Sequence, residues 1–172
     1  DATIREYEES QMLSADYPAS HINLGNLYLE RGEYDRAAVS YKKAIAIEPS
    51  FIPGYINLAD VYRLQNQDEK GRSILLHALG IAPESASAHH ALGLLMIRTG
   101  EQKKALNHLR DAAILVPENA RYSYVYGVAL NSLEMSVQAV SVLKRALNRN
   151  PYDHDLLVSL ATIHRDRSEF AK

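Results

Sequence analysis

The seven histidines are the residues of this chain that invite the prediction of a metal site, but their spacing does not support one. His89 and His90 are adjacent, and neighbours on a helix point about 100° apart, so both cannot readily bind one ion. No set of histidine, aspartate and glutamate has the spacing of zinc ligands, and the sequence contains no cysteine. We therefore predict no metal and no cofactor, and we interpret the histidines as packing residues.

The motifs of the common enzyme classes are also missing from the sequence. It has no Gly-x-x-x-x-Gly-Lys phosphate loop, no Gly-x-Ser-x-Gly nucleophile elbow and no Gly-x-Gly-x-x-Gly dinucleotide loop. Carboxylate pairs such as Asp68-Glu69 lie where helices are expected to begin, and the helix dipole favours acidic residues there. We therefore predict that the chain is not an enzyme.

The composition argues against two further kinds of function. The formal net charge is −2 and the pI is near 6.4, whereas nucleic-acid-binding domains usually carry a basic patch. No run approaches the ~18 apolar residues that a membrane-spanning helix needs. We predict a soluble chain that binds no nucleic acid and does not insert into membranes.

The elements that position these side chains follow a repeat of 34 residues, the length of one helix–turn–helix unit. Prolines recur at this interval, and so do a column of small residues and a column of large ones. Small residues let two helices approach closely, and large ones fill the space beside each contact. The prolines are Pro49, Pro83, Pro117 and Pro151; the small column is Gly25, Ala59, Gly93, Gly127 and Ala161; the large column is Tyr7, Tyr41, Leu75, Leu109 and Leu143.

The repeat predicts an all-α chain of about ten helices without strands. In the first full repeat we expect helices near 19–31 and 35–47, separated by Gly32, because glycine ends a helix at low cost. One array over residues 1–172 would hold full repeats at 18–51, 52–85, 86–119 and 120–153. The second helix of a preceding repeat would occupy 1–17, and the first helix of a truncated repeat 154–172. Asn66 and Glu134 occupy the place of Gly32, and since glutamate tolerates a left-handed backbone poorly, the turn of the fourth repeat is predicted least clearly.

Two segments of the first repeat carry a family resemblance. Residues 23–28, Asn-Leu-Gly-Asn-Leu-Tyr, and residues 32–37, Gly-Glu-Tyr-Asp-Arg-Ala, resemble the first-helix motif and the turn of the tetratricopeptide repeat family. The resemblance implies a right-handed superhelix whose first helices line a concave groove. It also implies a non-catalytic scaffold that binds a protein or an extended peptide segment in that groove.

The resemblance assigns a set of residues to the peptide-binding groove, because they lie on the non-core face of the first helices. They are Asn23, Asn26, Ile56, Asn57, Asp60, His90, Leu94, Tyr124, Val125 and Val128. Asparagine offers both a donor and an acceptor, so Asn23, Asn26 and Asn57 could pair with a peptide backbone. Asparagine is also simply common at this place in the family, so a purely structural interpretation stays open.

The three tyrosines of residues 122–126 are expected to divide between packing and binding. Tyr122 and Tyr126 share a helix face, and Tyr126 takes the place of core leucines in other repeats, so both are expected to pack. Tyr124 points elsewhere and is expected to be available to a ligand. Ile22, Ser87 and Ala91 stand where related domains carry a basic clamp for chaperone C-termini, so that activity is disfavoured.

Two alternatives remain open at the level of sequence. Residues 150–160 and 124–130 look like the C-terminal repeats of bacterial proteins with a multihaem cytochrome-type domain, which would make this chain an accessory module of a larger periplasmic enzyme. The haem motif Cys-x-x-Cys-His is absent, so redox chemistry would lie outside the chain. Alternatively, the array is a structural spacer that self-associates end to end through exposed half-repeats: Ile4 and Tyr7 at one end, Leu157, Leu160 and Ile163 at the other. The first residue is not methionine, so we expect a piece of a longer or processed chain, in the bacterial periplasm or cytoplasm.

Overall fold

The computed structural model describes Arg5 and residues 17–169, and their side chains as far as residue 166. The described residues form nine helices and no strand, which confirms the all-α fold. The helices are α1 (Pro18–Glu30), α2 (Tyr34–Ile47), α3 (Ile52–Leu64), α4 (Asp68–Ile81), α5 (Ala86–Arg98), α6 (Gln102–Leu115), α7 (Ala120–Ser132), α8 (Ser136–Arg149) and α9 (His154–Glu169). The second helix of a preceding repeat, predicted at residues 1–17, lies outside the described residues except for Arg5 and Tyr17.

The four tight turns between paired helices share one geometry. Gly32, Asn66, Gly100 and Glu134 all have a positive φ, of 74°, 57°, 83° and 61°. In each turn the following amide donates to the carbonyl five residues earlier; Met135 N, for example, donates to Leu130 O at 3.0 Å. This bond is the one that closes a Schellman motif at a helix end. It explains why Glu134 adopts a backbone conformation that its side chain disfavours.

The chain divides into two compact units, Asp1–Ala88 and His89–Lys172. In the first unit the main cluster forms around Tyr41, which is completely buried, together with Leu24, Tyr28 and Leu58. Gly25 lies so close to Tyr41 that a Cβ there would overlap the ring. The small column therefore packs against the large column, sixteen residues later in the sequence.

The second unit repeats this arrangement with leucine in the large column. A Cβ added at Gly93 would lie 2.7 Å from Leu109, and one at Gly127 would lie 2.6 Å from Leu143. The core of this unit runs from α7 through α8 to α9, and Leu143 is among its completely buried residues. The paired helices of this unit can therefore approach closely because Gly93 and Gly127 have no side chain.

The prediction for the end of the chain is wrong for two of its three residues. Leu160 is 8% and Ile163 3% exposed, whereas Leu157 is 44% exposed. The physical reason is the helical spacing: Leu156, Leu160 and Ile163 form one stripe, and α9 packs this stripe against α7 and α8. Ile4 and Tyr7 lie outside the described residues, so their predicted exposure is not described.

Candidate functional site on the first helices

The first helix of each pair carries the residues assigned to the groove, and in the first unit these form a hydrogen-bonded group. Asn26 lies on α1 and Asn57 on α3. The Tyr41 hydroxyl donates to Oδ1 of Asn26 at 2.7 Å, and Nδ2 of Asn57 donates to the same oxygen at 3.4 Å. We call these two asparagines the asparagine pair.

The buried ring of Tyr41 fixes the orientation of Asn26. Burial raises the pKa of Tyr41 to about 12, with smaller contributions from the negative charges of Asp60 and Glu30. The hydroxyl therefore keeps its proton and acts as a donor at ordinary pH. Since Oδ1 of Asn26 accepts this bond, the carboxamide nitrogen of Asn26 points away from Tyr41.

Several polar groups of this surface keep their hydrogen-bonding capacity. Neither Nδ2 of Asn26 nor Oδ1 of Asn57 bonds to any described residue, and the same holds for the carboxamide of Asn23. A donor and an acceptor therefore stand on adjacent helices, held by a buried tyrosine. A peptide group has one acceptor and one donor, so this surface matches a polypeptide backbone irrespective of its side chains.

Ile56 and Asp60 are the other two residues of the first unit that were assigned to the peptide-binding groove. Both are half-buried, and Asp60 accepts from Nε of Arg63 at 2.7 Å on the same helix. Arg63 thus offsets much of the charge of Asp60, leaving a surface that is polar and close to neutral.

In the second unit the corresponding surface is more apolar. Leu94 on α5 is 39% exposed and Val128 on α7 is 42% exposed, while Val125 is half-buried. His90 is half-buried and its ring lies 4.7 Å from the ring of Tyr122. Burial, and secondarily the charge of Arg121, lowers the pKa of His90 to about 4, so this histidine is neutral at pH 7.

The tyrosines of α7 differ from the sequence prediction in one respect. Tyr122 packs on His90 and Tyr126 on the core, which confirms the packing prediction for both. Tyr124 is also half-buried against the core, so the expectation that it stands apart from the packing is wrong. Periodicity within one helix gives the direction of a side chain but not what the neighbouring helices cover.

Tyr41 is the residue of this candidate site that the sequence prediction leaves out. It was assigned to the large column, where the later repeats carry Leu75, Leu109 and Leu143. The hydroxyl could have indicated the contact, because those leucines lack it and a buried tyrosine hydroxyl needs a hydrogen-bond partner. It is satisfied by Asn26, fifteen residues earlier in the sequence.

The histidines are distributed between the interior and the surface. His21 is buried, and His89 and His108 face each other with 3.0 Å between their Nδ1 atoms, whereas His77, His154 and His164 are exposed. The exposed His77 still packs, because its ring lies 5.6 Å from the ring of Tyr55, whereas the packing position expected for His164 is exposed. Over the described residues, no three side chains of His, Cys, Asp or Glu come together in a way that could hold a metal ion. A bilayer-crossing helix, both long and apolar enough, is likewise not found in the described part of the chain.

Comparison with known sequences identifies the repeat. A pattern described as TPR repeat matches residues 25–66, and patterns described as tetratricopeptide repeat match residues 52–85 and 86–111. Together they cover residues 25–111, about half of the chain. The BBSome complex member BBS4 of Bos taurus is 28% identical over 152 residues, which are 88% of this chain and 29% of that protein. The chain thus spans less than a third of the length of this relative.

Solved structures share the fold at low sequence identity. The thermophilic TPR protein TTC0263 of Thermus thermophilus has a TM-score of 0.76 and 24% identity, covering 95% of this chain and 89% of that one. YrrB, whose structure is that of a TPR protein with an unusual peptide-binding site, has a TM-score of 0.66 and 21% identity, covering 96% and 84%. At such identities the likeness shows the fold alone.

Proposed function

Because the chain belongs to the tetratricopeptide repeat family, we propose that it is a non-catalytic scaffold that binds an extended protein segment along its first helices. The observation that carries this proposal is the asparagine pair, in which Tyr41 holds Asn26 so that a donor and an acceptor remain open. A rigidly held polar pair loses little conformational entropy when it binds, so its hydrogen bonds contribute more to affinity.

The surface of the second unit supplies a different kind of contact. Leu94, Val125 and Val128 offer apolar area on α5 and α7, and exposed apolar groups are typical of interaction sites. The surface of the first unit thus suits a polypeptide backbone, and that of the second unit suits apolar side chains. YrrB is a TPR protein with an unusual peptide-binding site, and BBS4 is a member of a complex, which supports the proposal by analogy.

The two alternative functions, a self-associating spacer and an accessory module of a larger enzyme, are less well supported. Self-association through the last helix loses part of its basis, because Leu160 and Ile163 are buried within the second unit. The accessory role in a larger multihaem enzyme stays a prediction, and the sequence of the complete parent protein would test it.

The experiment is a selection of binding peptides followed by a comparison of variants. A random peptide display library is panned on the parent protein, and the enriched peptides are measured by calorimetry on Asn57→Ala. Within the described part of the chain Asn57 makes a single long hydrogen bond, so its replacement should change stability by less than ~0.5 kcal/mol. Affinity should fall by about 5- to 10-fold, the effect of one lost hydrogen bond to a buried backbone group.

The matched control is Val137→Ser, a change on α8 at a side chain that is 70% exposed and lies outside the first helices. This variant should bind the selected peptides like the parent. If none of the enriched peptides binds Asn57→Ala more weakly than the parent, the assignment of the asparagine pair is refuted. Tyr124→Ala is less suitable as a test, because it would also remove packing from the core.

A further inference from the structure

A second candidate surface lies in the second unit, between α6 and α8. A cleft of about 670 Å³ opens between these two helices, and α7 forms its floor. On α7 the cleft is lined by Ser123, Tyr126 and Leu130, which share one face of the helix. Tyr126 and Val128 lie about 200° apart around the helix axis, so the cleft and the exposed Val128 are on opposite sides of α7.

The walls of the cleft carry positive charge that nothing in its lining neutralises. Arg110 on α6 and Arg145 and Arg149 on α8 line it, and none of its lining residues is an aspartate or a glutamate. Asp111 pairs with Nη2 of Arg110 at 3.0 Å from outside the lining. The guanidinium of Arg145 has no hydrogen bond or ion pair to any described residue. We call this site the arginine cleft.

The floor of the arginine cleft is apolar apart from the hydroxyl groups of Ser123 and Tyr126. Leu130 and Val142 belong to the core beneath it, and Met135 lies at its edge. Tyr126 is only half-buried, whereas the equivalent Leu58 and Leu92 are 1% and 0% exposed. A tyrosine here presents a ring and a hydroxyl to the cleft where other repeats close the same position with leucine.

We propose that the arginine cleft binds an acidic protein segment that places a bulky apolar side chain on the floor and carboxylates against the arginines. The charge complementarity follows from three arginines without a carboxylate among the lining residues. Arginine binds carboxylates in a bidentate manner and is favoured where such recognition occurs. The volume suits a few side chains, as in ordinary ligand sites, rather than a folded domain. The apolar floor favours a peptide over a phosphate backbone, which offers no apolar group to fill it.

The test is a competitive selection from a random peptide display library. The parent protein is immobilised, and the double variant Arg110→Gln with Arg145→Gln is added in solution to remove peptides that bind elsewhere. Both arginines are exposed, so the variant should melt like the parent. The enriched peptides are expected to be acidic and to contain a leucine, isoleucine, phenylalanine or methionine. Their affinity, measured by fluorescence anisotropy, should be about tenfold weaker on the double variant and should fall as salt is raised.

The matched control removes two positive charges from an exposed surface of the first unit, by Lys42→Gln with Lys43→Gln. This variant should bind the enriched peptides within about twofold of the parent, because screening limits the reach of distant charges. The proposal is overturned if the competitive selection enriches nothing, if the enriched peptides are neutral or basic, or if they bind the arginine variant as well as the parent. It is also overturned if a single-stranded RNA oligomer binds the parent and the double arginine change abolishes that binding.

Discussion

At the scale of single residues, Tyr41 links the core to the surface. Its ring is completely buried in the first unit, and its hydroxyl reaches Asn26 at the exposed face of α1. One side chain therefore stabilises the repeat and orients a group that can bind a ligand. The later repeats keep the packing with leucine but lack the hydroxyl, so Leu75, Leu109 and Leu143 cannot orient a neighbouring amide in this way.

Glu134 is the residue with the clearest local strain. It has a φ of 61° in the turn between α7 and α8, where Gly32 and Gly100 serve in other repeats. Its side chain is exposed and makes no hydrogen bond or ion pair with the described residues. Glu134→Gly should therefore raise the free energy of unfolding by about 1 kcal/mol, since glycine adopts this backbone without strain. Urea denaturation measures the change.

Gly100→Ala is the matched control for that prediction. A Cβ at Gly100 would meet no atom within 4 Å, so the backbone at φ 83° is the main source of cost. This change should lower stability by about 1 kcal/mol. If both variants unfold at the parent's midpoint, strain at the turns is not significant.

His90 is expected to make stability depend on pH. Its pKa is lowered from 6.5 to about 4 in the folded state, chiefly by burial, so the unfolded chain binds a proton more readily. The stabilisation is fully present above pH 6.5 and is lost as the pH falls toward 4. The melting temperature should therefore decrease over this interval.

His90→Phe isolates this contribution, because phenylalanine keeps an aromatic ring against Tyr122 but cannot be protonated. The variant should lose less stability between pH 6.5 and 4 than the parent. Burial also lowers the pKa of His108, so part of the dependence should remain. Identical profiles for the parent and His90→Phe would contradict the assignment.

At the scale of elements, the pairing of helices rests on the contact of the small column with the large one. Gly127 on α7 lies against Leu143 on α8, and an added Cβ would stand 2.6 Å from that side chain. Gly127→Ala should therefore destabilise the protein by about 1–3 kcal/mol, the usual cost of overpacking. Thermal unfolding followed by circular dichroism measures the loss.

The double variant Gly127→Ala with Leu143→Ala tests the mechanism. Leu143→Ala alone should cost about 2–5 kcal/mol, because it leaves a cavity. Together the two changes should cost less than their sum, since the new methyl group enters that cavity. Strict additivity would show that the two residues do not share the contact.

The helices themselves were predictable because the repeat shows the same pattern four times. Expected helices near 19–31 and 35–47 are found at Pro18–Glu30 and Tyr34–Ile47. The wrong predictions concern single side chains, such as Ile163 and Tyr124, whose burial depends on how neighbouring helices pack. The contact of Tyr41 with Asn26 was not predictable either, since it requires a distance between two helices rather than a period along one.

At the scale of the whole molecule, charge is distributed unevenly along the chain. Residues 1–17 carry five acidic side chains against one basic, and residues 120–153 carry four basic against two acidic. Two of the basic ones, Arg145 and Arg149, line the arginine cleft. The polar asparagine pair and the basic cleft thus lie in different units and suit different chemistries. A net charge near zero conceals this division.

NMR of the side-chain amides tests most directly whether a bound segment is held by the asparagine pair. The protein is labelled with ¹⁵N, and the carboxamide signals of Asn26 and Asn57 are assigned by comparison with Asn26→Asp and Asn57→Asp. A peptide selected on the parent protein is then added in steps. Both carboxamide signals should shift with the same saturation curve as binding measured by calorimetry. Saturation by the peptide while both signals stay in place would contradict the claim and move the binding site away from the asparagine pair.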